Sequence, residues 1–94
     1  MYHPGNRQMR LSEMKEGQSG RIIGVGGEMA LRRRIMEMGL RRGAVFYIEK
    51  YAPLRDPIEL VIKGSHVSLR VREAQAITVE PLDAAELGNA GKTA

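Results

Sequence analysis

The chain has 94 residues, 43% hydrophobic and 28% charged, with a formal net charge of +4 and no cysteine. That is length for one small domain, and the absence of cysteine excludes disulfides, thiolate metal sites and cysteine nucleophiles together. No apolar run approaches the roughly 20 residues of a membrane span, so the basic balance points to acidic partners: nucleic acid, anionic headgroups or an acidic protein face.

Residues 1–8 are polar, carry Pro4 and Gly5, and read as a flexible N-terminus. They lack the apolar centre of a secretory signal. Together with the missing cysteines this gives a cytoplasmic expectation. Aromatics make up 4% and Trp is absent, so the core must be built from Ile, Leu, Val and Met.

In "LSEMKEG" (11–17), Ser12 is placed to cap one short helical turn that Gly17 ends. "SGRIIGV" (19–25) reads as a strand and the glycines at 26 and 27 as a turn. One substantial helix is expected over 28–38, with Leu31, Ile35 and Met38 recurring on one face. Gly39 stands where a left-handed residue closes a helix, and Leu40 follows to seal the cap.

From Gly43 the period changes to two, and Phe46 and Ile48 share a face. Pro53 and Pro57 break the chain in "APLRDP" (52–57). "IELVIKG" and "HVSLRV" alternate again, with a tight turn at Gly64-Ser65. "REAQA" is a single helical turn, and "ITVEPL" a last strand with Ile77 and Val79 inward. Residues 83–94 are small and polar and read as a flexible tail, which leaves one domain at 9–82. The expected fold is mainly β: a small closed or half-closed antiparallel barrel of about five strands with one inserted helix.

The glycine-rich turn before the helix invites a nucleotide-loop reading, and the residues refuse it. Gly24 and Gly26 begin a G-x-G-x-x-G pattern, but the third position is Met29. Glu28 would also set negative charge where a phosphate should sit. These glycines let the chain turn, and Glu28 favours the helix start.

Met29 and Met36 point away from the Leu31–Ile35–Met38 stripe, with Arg32 and Arg33 beside them. Arg41 and Arg42 extend the positive patch past the helix end. Two readings of this face stay open. It could be a solvated face laced by Glu28–Arg32 and Arg33–Glu37 pairs, or an adaptable surface for an acidic partner. Nucleic acid is disfavoured, because Tyr2, Tyr47, Tyr51 and Phe46 are few for base stacking and Phe46 fits the core.

The two histidines, His3 and His66, stand apart with no clustered ligands, so no metal site or cofactor is expected. Ser65-His66 reads as hairpin turn, and no nucleophile–base constellation emerges. The chain reads as a non-enzyme. Exposed methionines and sheet edges permit a homo-oligomer.

"RRRIMEMGLRRG" (32–43), "APLRDPIEL" (52–60) and "HVSLRVREAQAITVE" (66–80), preceded by "LSEMKEGQSGRIIGVGG" (11–27), resemble the ferrous iron transport protein A (FeoA) family in order and spacing. The resemblance implies an SH3-like barrel with an added helix. It also implies a small cytosolic accessory of ferrous iron uptake. Its partner would be ferrous iron transport protein B (FeoB), a membrane protein with a cytosolic GTPase domain. By position the resemblance makes docking candidates of Arg32, Arg33 and Met36 on the helix and Leu54, Arg55 and Asp56 on the loop. Met29, Arg41 and Arg42 join them from the reading of the helix face. The family's pattern carries glycine where this chain has Arg55, and a left-handed conformation there would strain arginine. The competing readings are a basic SH3-like module that binds nucleic acid or serves as a regulatory domain, and, more weakly, a metal-binding chaperone.

Overall fold

The computed structural model describes residues 7–83 and 85–87. Six strands follow in order: β1 (Met9–Arg10), β2 (Ser19–Val25), β3 (Val45–Tyr51), β4 (Ile58–Ile62), β5 (Ser65–Leu69) and β6 (Ile77–Leu82). Helix α1 (Met29–Glu37) lies between β2 and β3, and the single turn α2 (Val71–Ala74) between β5 and β6. The strands form one antiparallel sheet in the order β1-β6-β2-β3-β4-β5. The sixth strand is the two-residue β1, which pairs Met9 with Val79. Among the described residues no ladder joins β1 to β5, so the sheet is the half-closed form of the expected barrel.

Alternation sets the core. Phe46 and Ile48 of β3, Ile58, Leu60 and Ile62 of β4, and Ile77 and Val79 of β6 are all buried on one side of the sheet. Ile35 of α1, Leu11, Met14 and Leu40 complete the same cluster, with Leu31 and Met38 packed against it. Gly20 makes room for the chain's single Phe. A Cβ at Gly20 would lie 2.8 Å from the Phe46 ring and 3.1 Å from the Glu80 carbonyl oxygen.

Helix α1 is one residue shorter at each end than the sequence suggests, because Glu28 and Met38 are its caps. Its C-terminus closes as expected. Gly39 takes φ 98°, its N–H donates to the Met36 carbonyl at 3.0 Å, and Leu40 N–H reaches back to the Ile35 carbonyl at 3.3 Å. This is the paired closure in which a left-handed residue satisfies the last carbonyls of the helix, and Leu40 is buried over it.

Three local expectations need correction. The turn between β4 and β5 is Lys63-Gly64, not Gly64-Ser65, since Ile62 pairs with Ser65 across the ladder. Both turn residues have positive φ, 50° and 79°, the requirement of a two-residue turn that matches strand twist. Ser65 and His66 therefore belong to β5, not to a turn. Finally, Ser12 is not a cap. It lies inside a 3₁₀ turn over Leu11–Glu13 that starts from Arg10, whose N–H donates to the Glu13 carboxylate at 2.8 Å.

Residues 1–6, with Tyr2 and His3 among them, and residues 84 and 88–94 of the expected flexible ends lie outside the described residues. Where the two ends are described, Arg7 pairs with Glu86 at 3.2 Å. No helix among the described residues is long and apolar enough to cross a membrane.

Candidate docking surface

In the turn that leads into α1, Gly26 N–H is already engaged, donating to the Ala76 carbonyl at 2.7 Å; beyond the helix, Gly43 N–H donates to the Ile22 carbonyl at 2.7 Å. Glycine at 26 and 27 thus serves to seat the helix against β6 and its preceding turn, with Gly27 at φ 85° under Leu31.

Seated this way, α1 divides into two faces. Leu31, Ile35 and Met38 turn to the core. Met29, 72% exposed, and Met36, 43% exposed, turn outward. Met29, Arg32, Arg33, Met36, Glu37 and Arg41 together line a shallow depression of ≈ 490 Å³. A second depression adjoins it, lined by Gly24, Val25, Arg32, Met36 and Arg42.

The arginines differ in how they are employed. Arg34 pairs with the buried Glu73 at 3.3 Å, and Arg42 donates from Nε to the Ile23 carbonyl at 3.0 Å. Arg32, Arg33 and Arg41 make no ion pair or side-chain hydrogen bond with any described residue. The Glu28–Arg32 and Arg33–Glu37 pairs of the solvated-face reading are therefore not formed. Three guanidinium groups border two exposed methionines with their charge uncompensated.

The loop at 52–57 is a separate construction. Leu54 is 89% exposed. Arg55 adopts φ 65°, the left-handed conformation foreseen as costly for arginine. Its guanidinium lies over the Tyr51 ring, 4.5 Å from the centroid, a cation–π contact that offsets part of that cost. Tyr51 in turn donates its hydroxyl to the Met14 carbonyl and its N–H to the Glu16 carboxylate at 2.8 Å. Burial pushes the Tyr51 phenol above its usual 10.0, with Arg55 opposing the shift and Glu16 adding to it.

Asp56 precedes a cis peptide bond to Pro57. Its Oδ1 accepts the Val71 N–H at 3.1 Å and lies 3.7 Å from Arg70. Asp56 thus ties the loop to the start of α2. No loop residue lines either depression on α1. Of the nine sequence candidates, the structure gathers Met29, Arg32, Arg33 and Met36 of the helix with Arg41 beyond its end, sets Arg42 beside them, and keeps Leu54, Arg55 and Asp56 apart.

Glu37 joins the lining unannounced, because a lone glutamate in an arginine-rich helix looks like a solvated charge. Among the described residues, no group of three His, Cys, Asp or Glu side chains could hold a metal ion.

Comparison with known proteins gives the family. The family model described as the FeoA domain matches residues 9–81. The chain belongs to the FeoA family. A FeoA-like protein from Clostridium acetobutylicum shares 42% identity with a TM-score of 0.76, over 82% of this chain and 90% of that one. FeoA from Stenotrophomonas maltophilia, an SH3 domain protein determined in complex with zinc, matches at 27% identity and a TM-score of 0.66, over 83% and 93% of the two chains. An Fe(2+) transport protein A/Fe(2+) transporter FeoB fusion protein from Porphyromonas gingivalis is 43% identical over 72 residues. That match takes in 77% of this FeoA chain and spans only 8% of the fusion protein.

Proposed function

We propose that this FeoA-family protein is a cytosolic accessory of ferrous iron uptake that acts by contact with a FeoB-type transporter through the outer face of α1. The observation that carries the reading is the grouping of Met29 and Met36 with Arg32 and Arg33 on the helix and Arg41 just beyond it, three arginines unpaired among the described residues, on a helix whose other face is buried in the core. Exposed methionine adapts its shape to a partner, and unpaired arginine gains most from a desolvated carboxylate. The fusion relative supports the same partner, since joining two modules in one chain raises their effective concentration for each other. No catalytic step is assigned to the chain.

The test is a titration of isotope-labelled protein with the cytosolic GTPase domain of its transporter, followed by amide NMR shifts at low and physiological salt. Shifts at 29–42 that weaken with salt are the expected result. A shift pattern that leaves α1 untouched would move the contact elsewhere. Binding to a nucleic-acid duplex with a steep, sequence-independent salt dependence would favour a phosphate-binding module instead.

A further inference from the structure

The outer face of α1 carries a regular stripe of exposed side chains. The residues that line its depression, Met29, Arg32, Arg33, Met36 and Glu37, fall at i, i+3, i+4, i+7 and i+8. That is the stripe with which one helix packs along another. Met29 and Met36 stand one heptad apart, about 10.5 Å along the axis at the helical rise. Apolar anchors on a facing helix repeat at the same interval.

The charges then choose the facing helix. Arg32, Arg33 and Arg41 are exposed and unpaired among the described residues, so a facing segment must bring carboxylates. A second copy of this chain on the same patch would bring a single carboxylate, Glu37, to three arginines across a two-fold axis, leaving most of the positive charge facing its like. A phosphate backbone would satisfy the arginines but leave the methionines against water, and the exposed Tyr47 belongs to β3 and is no part of the lining.

The geometry points to an acidic amphipathic helix as the occupant: a segment of the partner with apolar residues one heptad apart, seated on Met29 and Met36, and Asp or Glu beside them facing Arg32, Arg33 and Arg41. The inference rests on the docking reading above and specifies the chemistry of what docks.

The probe is a synthetic helical peptide with Leu at i, i+3 and i+7 and Glu at the flanking positions, titrated into the labelled full-length chain. Saturable shifts confined to residues 29–41 are expected. Replacing each Glu by Lys, or each Leu by Ser, should weaken binding by about tenfold or more. The double variant R32E/R33E should prefer the Lys peptide, an inversion that a merely sticky surface would not give. Its melting curve should match the parent, since both side chains are exposed.

Equal binding of the Glu and Lys peptides would overturn the inference, as would full binding after the Leu-to-Ser change or tighter binding of a single-stranded oligonucleotide. Shifts at 29–41 on concentrating the protein alone would identify a second copy as the occupant. If the transporter domain moves these resonances and the peptide does not, docking stands and the acidic helix falls. If the peptide binds and the transporter domain leaves the face unmoved, the recognition chemistry stands and the transporter is not its source.

Discussion

Arg34 fastens α1 to α2 through Glu73: its Nε lies 3.3 Å from a carboxylate that is almost wholly buried. The other Glu73 oxygen accepts the Arg70 N–H at 2.9 Å, and Arg70 faces Asp56 of the 52–57 loop. Of three consecutive arginines, then, one is tied to the scaffold and two have no ion pair among the described residues. This chain of polar contacts links the 52–57 loop to α1.

Removing Glu73 leaves the part-buried Arg70 N–H without its acceptor and returns the exposed Arg34 guanidinium to water. Glu73→Ala should cost about 1–3 kcal/mol, the penalty of an unsatisfied buried hydrogen-bonding group. On a domain of this size that lowers the melting temperature by roughly 4–8 °C per kcal/mol. Arg34→Ala should cost less, about 0.5–1 kcal/mol, because the Arg34 side chain is largely exposed and its pair is screened by water. Thermal melts of the two variants decide it: a larger loss for Arg34→Ala would mean that the ion pair, and not the cap on Arg70, holds α2.

Arg55 carries two opposed terms, a left-handed backbone and a contact with the Tyr51 ring. Arg55→Ala keeps the backbone cost and loses the contact, so it should destabilise by about 0.5–1 kcal/mol. Arg55→Gly also loses the contact but relieves the backbone, and should be more stable than Arg55→Ala by about 1 kcal/mol. Denaturant titration of both variants measures the difference. Equal stabilities would show that the backbone term is negligible at this turn.

What the sequence made legible is what local chemistry dictates. Gly39 and Leu40 announce their closure of α1, because both bonds of the cap lie within one turn. The inward residues of β3, β4 and β6 follow from alternation alone. The two-residue turn was misplaced by one position because Lys63 carries no signal for positive φ. Glu73 and Asp56 were illegible as clamps, since each answers a backbone donor or an arginine brought near by folding. Helix and loop candidates looked like one site for the same reason. Each set mixes exposed apolar and charged side chains, and only the tertiary structure shows Asp56 engaged with α2 while Arg32 and Arg33 have no partner among the described residues.

Tyr51 makes stability depend on alkaline pH. Burial disfavours the charged phenolate and raises the folded-state pKa above 10.0, with Arg55 opposing the shift and Glu16 adding to it, and the hydroxyl donates to the Met14 carbonyl. A raised folded pKa means that the contribution is whole below the unfolded value, near pH 10, and is lost as pH climbs through the folded one. Denaturant midpoints of the parent should therefore fall above pH 10 more steeply than those of Tyr51→Phe. The same substitution should cost about 0.5–1.5 kcal/mol at neutral pH for the missing hydrogen bond. Tyrosinate absorbance gives an independent reading, because the late-titrating component that Tyr51 gives the parent should be absent from Tyr51→Phe.

The two faces of α1 should separate stability from binding. Ile35 is fully buried, so Ile35→Ala removes three carbons from a packed site and should cost about 2–5 kcal/mol. That is a large share of the total for a small domain, and partial unfolding at room temperature is the expected outcome. Arg33 is exposed and unpaired among the described residues, so Arg33→Glu should stay within about 0.5 kcal/mol of the parent. It should nonetheless weaken binding to an acidic partner, mostly through the association rate and most clearly at low salt. Circular-dichroism melts beside binding kinetics at two salt concentrations make the comparison. An Arg33→Glu protein that melts early would place Arg33 in the scaffold with Arg34, and the outer face of α1 would lose its claim to be the free one.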